Sequence, residues 1–165
     1  MTIIITFDMH LTHYTDYSLR ILIYLYLNQN RKVTIKEISQ AFKISRNHLT
    51  KIVQKLGIYG FIDTVPGAKG GVKLSKNGGK TKIADVVVAM EPNFFIAECF
   101  NPEGNCIISP VCELQFILAK AMNSFMESLK EYTFDDIMKN SKDYKNIFHL
   151  LPNEKYSKIK SKNKV

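Results

Sequence analysis

Three cysteines, Cys99, Cys106 and Cys112, stand within fourteen residues of one another, and the chain has no others. Thiolates at that density can hold a metal, react with oxidants or lie buried as small apolar groups. An odd count, in a chain whose first residues lack a basic segment ahead of an apolar one, argues against a secreted disulfide framework. The gaps of six and five residues are not those of zinc sites, where cysteine pairs stand about two to four residues apart. Three thiolates on one loop and one helix start can cover three irons of a cubane iron–sulfur cluster, with the fourth iron left to a ligand from elsewhere. Redox-reactive or simply buried thiols fit the same spacing. A helix N-terminus behind Cys112 favours its thiolate form.

A second group of chemistry-bearing residues lies in the first half of the chain. Arg46, Asn47, His48, Thr50, Lys51 and Lys55 fall on the outward face of one predicted helix. Arginine and lysine donate to guanine O6 and N7 or to phosphates, and asparagine pairs with adenine N6 and N7. The first residues of such a helix are those that reach base edges, which singles out Arg46, Asn47 and Lys51, with His48 beside them. Lys69 and Lys73 are candidates for phosphate or minor-groove contact from a neighbouring hairpin. The bland alternative is an ordinary solvated helix face. Charge supports the sharper one. Residues 1–82 carry 13 Lys and Arg against 4 Asp and Glu, whereas residues 83–140 carry 3 against 9. A basic head on an acidic body suits a nucleic-acid partner.

These groups need elements to position them. Residues 15–27 form a predicted first helix, with Leu19, Leu22, Ile23 and Tyr26 on one face. Thr34-Ile-Lys-Glu37 is a capping box that opens a short helix. Lys43-Ile44 makes a tight turn, and Ser45 caps a helix over 45–57 with Leu49, Ile52, Val53 and Leu56 inward and Gly57 at its end. Two short helices across a tight turn make a helix-turn-helix. Strands are expected over 61–65 and 72–74, joined by Pro66-Gly-Ala-Lys-Gly-Gly71, a hairpin placed as a wing. A helix through Ile83, Val86, Val87 and Met90 stops before Pro92, and a loop over 92–109 holds Cys99 and Cys106. Ser109-Pro110 is expected to start a long helix over 110–131, with Cys112 in its first turn. Its stripe of Leu114, Leu118, Ala121, Phe125 and Leu129 is spaced like a coiled-coil seam, which makes it the candidate dimerisation helix, or else a face packed on its own domain. Thr133-Phe-Asp-Asp136 caps one more short helix.

Hydrophobic residues make up 45% of the 165, enough for a folded core, and no apolar run reaches the length that spans a bilayer. A cytoplasmic protein is expected, with no membrane partner. Met9 reads as an alternative start. There is no nucleophile–base pairing, phosphate loop or catalytic carboxylate pair, so an enzyme is not expected.

With these elements in this order, the chain resembles the iron–sulfur winged-helix regulators, the family that includes the IscR and NsrR types. The resemblance runs from Met9 to about Asn140. It is carried by Leu11-Thr-His-Tyr-Thr-Asp-Tyr-Ser-Leu-Arg20, Ile44-Ser-Arg-Asn-His-Leu49, the Gly70-Gly71 wing and the three spaced cysteines. Tyr14-Thr-Asp16, Ser45-Arg-Asn-His48 and Glu91-Pro92 look like the nitric-oxide-sensing branch. The resemblance implies a mainly α fold with a small β-hairpin wing and a long C-terminal dimerisation helix. The segments are then a DNA-binding domain over 9–80, a cluster loop and dimerisation helix over 81–140, and a loose basic tail over 141–165. It further implies a homodimeric repressor on double-stranded promoter DNA, with nitric oxide as its signal. The implied cofactor is a 4Fe–4S cluster rather than 2Fe–2S, held by Cys99, Cys106 and Cys112 and by Asp16 of the partner subunit. Without the resemblance, Asp16 is a helix-start acid facing the helix dipole. The 2Fe–2S members carry a histidine three residues after the last cysteine, where this chain has Gln115. An iron–sulfur-status regulator and a cluster-free thiol sensor are the alternatives on the same fold. One departure stands out: Pro66 occupies the place of an arginine that enters the minor groove, so that contact is lost or passes to Lys69.

Overall fold

A computed structural model describes residues 10–67 and 70–139, with positions 144 and 146. Helix α1, His13–Leu27, starts two residues earlier than expected because Thr12 is its cap: the Thr12 hydroxyl accepts from the Thr15 N–H. Its buried face is Thr15, Ser18, Ile21, Leu22 and Leu25. Helix α2, Ile35–Phe42, carries the complete capping box of Thr34 and Glu37. Lys43 ends it in the left-handed conformation, at φ 56°, and the chain turns at once into α3, Arg46–Ile58. Ser45 caps α3, and Leu49, Ile52, Val53 and Leu56 are its buried face. Gly57 does not stop the helix; the exit turn is made by Gly60, at φ 73°.

Strands β1, Ile62–Val65, and β2, Gly71–Leu74, pair antiparallel with Ile62 opposite Leu74 and Val65 opposite Gly71. The hairpin is sewn to the α1–α2 connection by Val33, which exchanges both backbone hydrogen bonds with Val72, at 3.0 and 2.8 Å. A Cβ at Gly71 would stand 2.8 Å from the Val33 carbonyl oxygen, so that sewing requires glycine. Helix α4, Ile83–Met90, gives Val86 and Met90 to the same core as α1 and α3. Helix α6, Phe134–Ile137, adds the fully buried Phe134. The fold is therefore a winged helix-turn-helix, mainly α, with one two-stranded hairpin among the described residues. No helix among them is long and apolar enough to cross a membrane.

The long helix corrects one expectation. Ser109-Pro110 starts a single 3-10 turn, Ser109–Val111, and not the helix itself. Cys112 is extended, at φ −87° and ψ 102°, and α5 runs from Glu113 to Lys130 with Cys112 at its cap position. A proline start signal is satisfied equally by a one-turn helix, because both need only a fixed φ and no N–H. The expected stripe also divides. Leu118 and Leu129 are half-buried, with Gln115, Met122 and Met126, whereas Leu114, Ala121 and Phe125 are exposed.

Candidate nucleic-acid interface and cysteine loop

The buried apolar row of α3 forces its other side outward. Arg46, Asn47, His48, Thr50 and Lys51 are all exposed there. Ser45 at the cap takes the His48 N–H at 3.3 Å, which closes the first turn of α3. Lys55 departs from expectation. Its ammonium lies 5.4 Å from the centre of the Tyr14 ring and 5.7 Å from that of Tyr59, so it is half-buried as a cation between two rings. Tyr14 also donates its hydroxyl to the Lys51 carbonyl, at 3.0 Å, which ties α1 to the middle of α3. Burial raises the Tyr14 phenol above its ordinary pKa and keeps it a donor at neutral pH. On the wing, Lys73 is half-buried on β2, opposite Asp63 in the register. Pro66 and Gly67 are exposed at the tip, and Lys69 lies outside the described residues.

The cysteines sit on the segment between α4 and α5. Cys99 lies in a 3-10 turn, Glu98–Phe100, Cys106 precedes the second such turn, and Cys112 leads into α5. Local hydrogen bonds shape this loop. Gly104 N–H donates to the Asn101 carbonyl at 2.8 Å, and Asn105 N–H donates to the Glu98 carboxylate at 3.2 Å. Gln115 donates its amide to the Cys99 carbonyl at 3.1 Å, pinning the loop to the first turn of α5. The loop's first residue, Glu91, accepts from the Thr12 N–H at 2.8 Å and from the Thr12 hydroxyl at 3.3 Å. These two fastenings were not visible in the sequence, where Gln115 and Glu91 have no partner within one helical turn.

All three thiols are free and half-buried. The structure does not gather them: among the described residues no three His, Cys, Asp or Glu side chains form a group that could hold a metal ion. Asp16 has a partner of its own. Arg20 grips it with two parallel contacts, Nε to Oδ1 at 2.9 Å and the terminal nitrogen to Oδ2 at 2.6 Å. In donor chemistry the loop suits an iron–sulfur cluster. Three uncommitted thiols are present, and no lysine or arginine between residues 91 and 112 competes for them.

Apolar groups that a lone chain leaves in water surround this loop and run along α5. Ile107 is 95% exposed, Val111 82%, Phe116 71% and Ile117 63%. Leu114, Ile108 and Val88 are exposed as well. A patch of this kind marks a contact surface.

A family model described as Rrf2, iron-dependent transcriptional regulator, matches residues 11–140. The chain is 44% identical over 134 residues to the HTH-type transcriptional regulator NsrR of Bacillus licheniformis, a match covering 80% of this chain and 94% of that protein. Among solved structures it is similar to T. potens IscR, with a TM-score of 0.66 at 17% identity, covering 89% of this chain and 95% of the other. It is also similar to the oxidised form of Staphylococcus aureus CymR, with a TM-score of 0.63 at 20% identity, over 79% of this chain and 97% of that one.

Proposed function

The chain belongs to the Rrf2 family of transcriptional regulators, and from that premise we propose that it is a cytoplasmic homodimeric repressor that senses nitric oxide. It is a DNA-binding regulator and not an enzyme. The observation that carries the DNA half is the outward row Arg46, Asn47, His48 and Lys51, on a helix locked by its cap and its buried face. Arg46 and Asn47 read bases, Lys51 meets a base edge or a phosphate, Lys73 holds phosphate, and Lys69 is proposed to do so as well.

The sensing half is supported by the resemblance to NsrR and by three free thiols on one loop. Cys99, Cys106 and Cys112 would hold a 4Fe–4S cluster, with Asp16 of the partner subunit as the fourth ligand. Such a cluster, when bound, supplies irons that nitric oxide can attack. The chain's own contribution is to present Asp16, half-buried near the start of α1, where Arg20 offers its carboxylate an alternative partner. Genes released by the signal would be those for nitric-oxide detoxification. A second reading, a cluster-free thiol sensor, is favoured by the one observation that the thiols are not gathered.

An absorbance spectrum of anaerobically purified protein, with iron and sulfide assays before and after nitric oxide, separates the two. A broad visible sulfide-to-iron band with about four irons per chain, lost on nitrosylation, supports the cluster. A colourless protein that stays so after reconstitution moves the reading to thiol chemistry. About two irons per chain would indicate a 2Fe–2S status regulator.

A further inference from the structure

Two contacts at the start of α1 join it to different elements. Toward the cysteine loop, Thr12 gives both its N–H and its hydroxyl to Glu91. Glu91 is the cap residue of α4 and the last before Pro92, so any displacement of the loop reaches its backbone directly. Toward the DNA face, Tyr14 gives its hydroxyl to the Lys51 carbonyl and its ring to the Lys55 ammonium. Thr12 is the cap of α1 and Tyr14 stands two residues on, inside the first turn. A helical turn closed by its own cap moves as a unit, so a shift at Thr12 is a shift at Tyr14. The remaining anchorage of α3, its own Leu49, Ile52, Val53 and Leu56, belongs to the main hydrophobic core.

We propose that Glu91, Thr12 and Tyr14 form a strut within one chain, and that Tyr14 is a positioning residue setting the pose of α3 according to the state of the cysteine loop. This rests on the reading of that loop as the sensor. Base-edge hydrogen bonds have narrow distance limits, so a small tilt at Lys51 displaces Arg46 and Asn47 from their partners. The strut needs no contact between the loop and α3 themselves. It also differs from a link through Asp16, because it runs inside each chain and would operate in a monomer.

The test compares affinities of the loaded and the cluster-free protein for one labelled duplex, selected from a random pool by the loaded wild type. Iron content and helical melting curves are recorded on the same samples. Tyr14→Phe removes the hydroxyl and keeps the ring under Lys55. It should lower the loaded-to-cluster-free affinity ratio by about three- to tenfold, the usual size of a coupling carried by one contact. Glu91→Ala should do the same. The double variant should fall no further, since both cut one path. Glu91→Gln keeps an acceptor oxygen for Thr12 and should restore most of the ratio. An unchanged ratio in folded Tyr14→Phe overturns the strut, as do losses that add in the double variant. A wild type that binds equally in both forms overturns the sensor reading, and the strut with it, in the first titration.

Discussion

Asp16 and Arg20 stand one helical turn apart, and their twofold contact governs what the carboxylate can do. The pair is partly exposed, with side chains 37% and 45% accessible. Acid before base at this spacing contributes only about 0.3–0.5 kcal/mol. An iron bond could therefore take Asp16 from Arg20 at small cost. Arg20→Gln should lower stability by less than about 0.5 kcal/mol. It should leave iron retention against a chelator equal to or better than wild type, while Asp16→Ala shortens it. Faster iron loss in Arg20→Gln would show that Arg20 supports Asp16 rather than competing for it. Glu37 is governed by its neighbours too. Burial pushes its carboxyl up, but hydrogen bonds from the Thr34 N–H, the Arg31 guanidinium and the Thr34 hydroxyl outweigh that and hold it below its ordinary 4.5. A carboxyl depressed by folding stabilises fully above its unfolded value and loses that contribution as pH falls through the folded value. The capping box, worth about 1 kcal/mol by the usual effect of such a cap, should therefore weaken below pH 4.5 and not above it. In acid titrations followed by circular dichroism, Glu37→Gln should start less stable and show a shallower decline over that range. A parallel decline would mean other carboxylates dominate.

At the scale of elements, the two lysines of α3 make opposite predictions. Lys51 is exposed on the face of α3 proposed to meet DNA, so Lys51→Ala should reduce the salt slope of DNA binding by about one and leave melting unchanged. Lys55 lies between two rings, so Lys55→Ala should leave the slope alone and lower stability by about 0.5–1 kcal/mol. Salt titrations of the two variants side by side decide it, and equal slopes would place Lys55 on the DNA after all. The difference also marks where sequence is legible. Thr34 with Glu37, and Ser45 ahead of α3, were readable because each cap bonds to a residue three positions on. The inward row of α3 was readable from its spacing. Lys55 was not, because Tyr14 reaches it from α1 across 41 positions of chain. The start of α5 was not either, since Pro110 suits a 3-10 turn as well as an α-helix. The cysteines announced themselves by type and spacing. The shape of the loop that carries them rests on bonds, such as Gln115 to the Cys99 carbonyl, that no local pattern encodes.

At the scale of the whole molecule, α5 is out of balance for a lone chain. None of its eighteen residues is fully buried, yet Leu114, Phe116, Ile117 and Phe125 project into water. Leu114, Ile117, Ala121 and Phe125 follow one another at three, four and four residues, so they form a single outward seam. A second copy offering the same seam about a twofold axis would cover both. It would also set two α3 helices a fixed distance apart, which binding to successive major grooves, about 34 Å apart, requires. Each large apolar side chain covered contributes about 1.5–3 kcal/mol. Replacing Ile117 and Phe125 together with aspartate removes two such contributions and puts charge into the seam. Each copy contributes both residues, so the dimer should weaken by well over a hundredfold. Neither residue belongs to the buried core, so the variant chain should keep its helical content and melting cooperativity. Sedimentation equilibrium should then show the mass of one chain, where the wild type is expected to show two. Affinity for a two-half-site duplex should drop toward that for a single half-site. A variant that stays dimeric would move the interface off this seam, to the Ile107, Ile108 and Val111 surface of the cysteine loop, and would make the loop itself the joint between subunits.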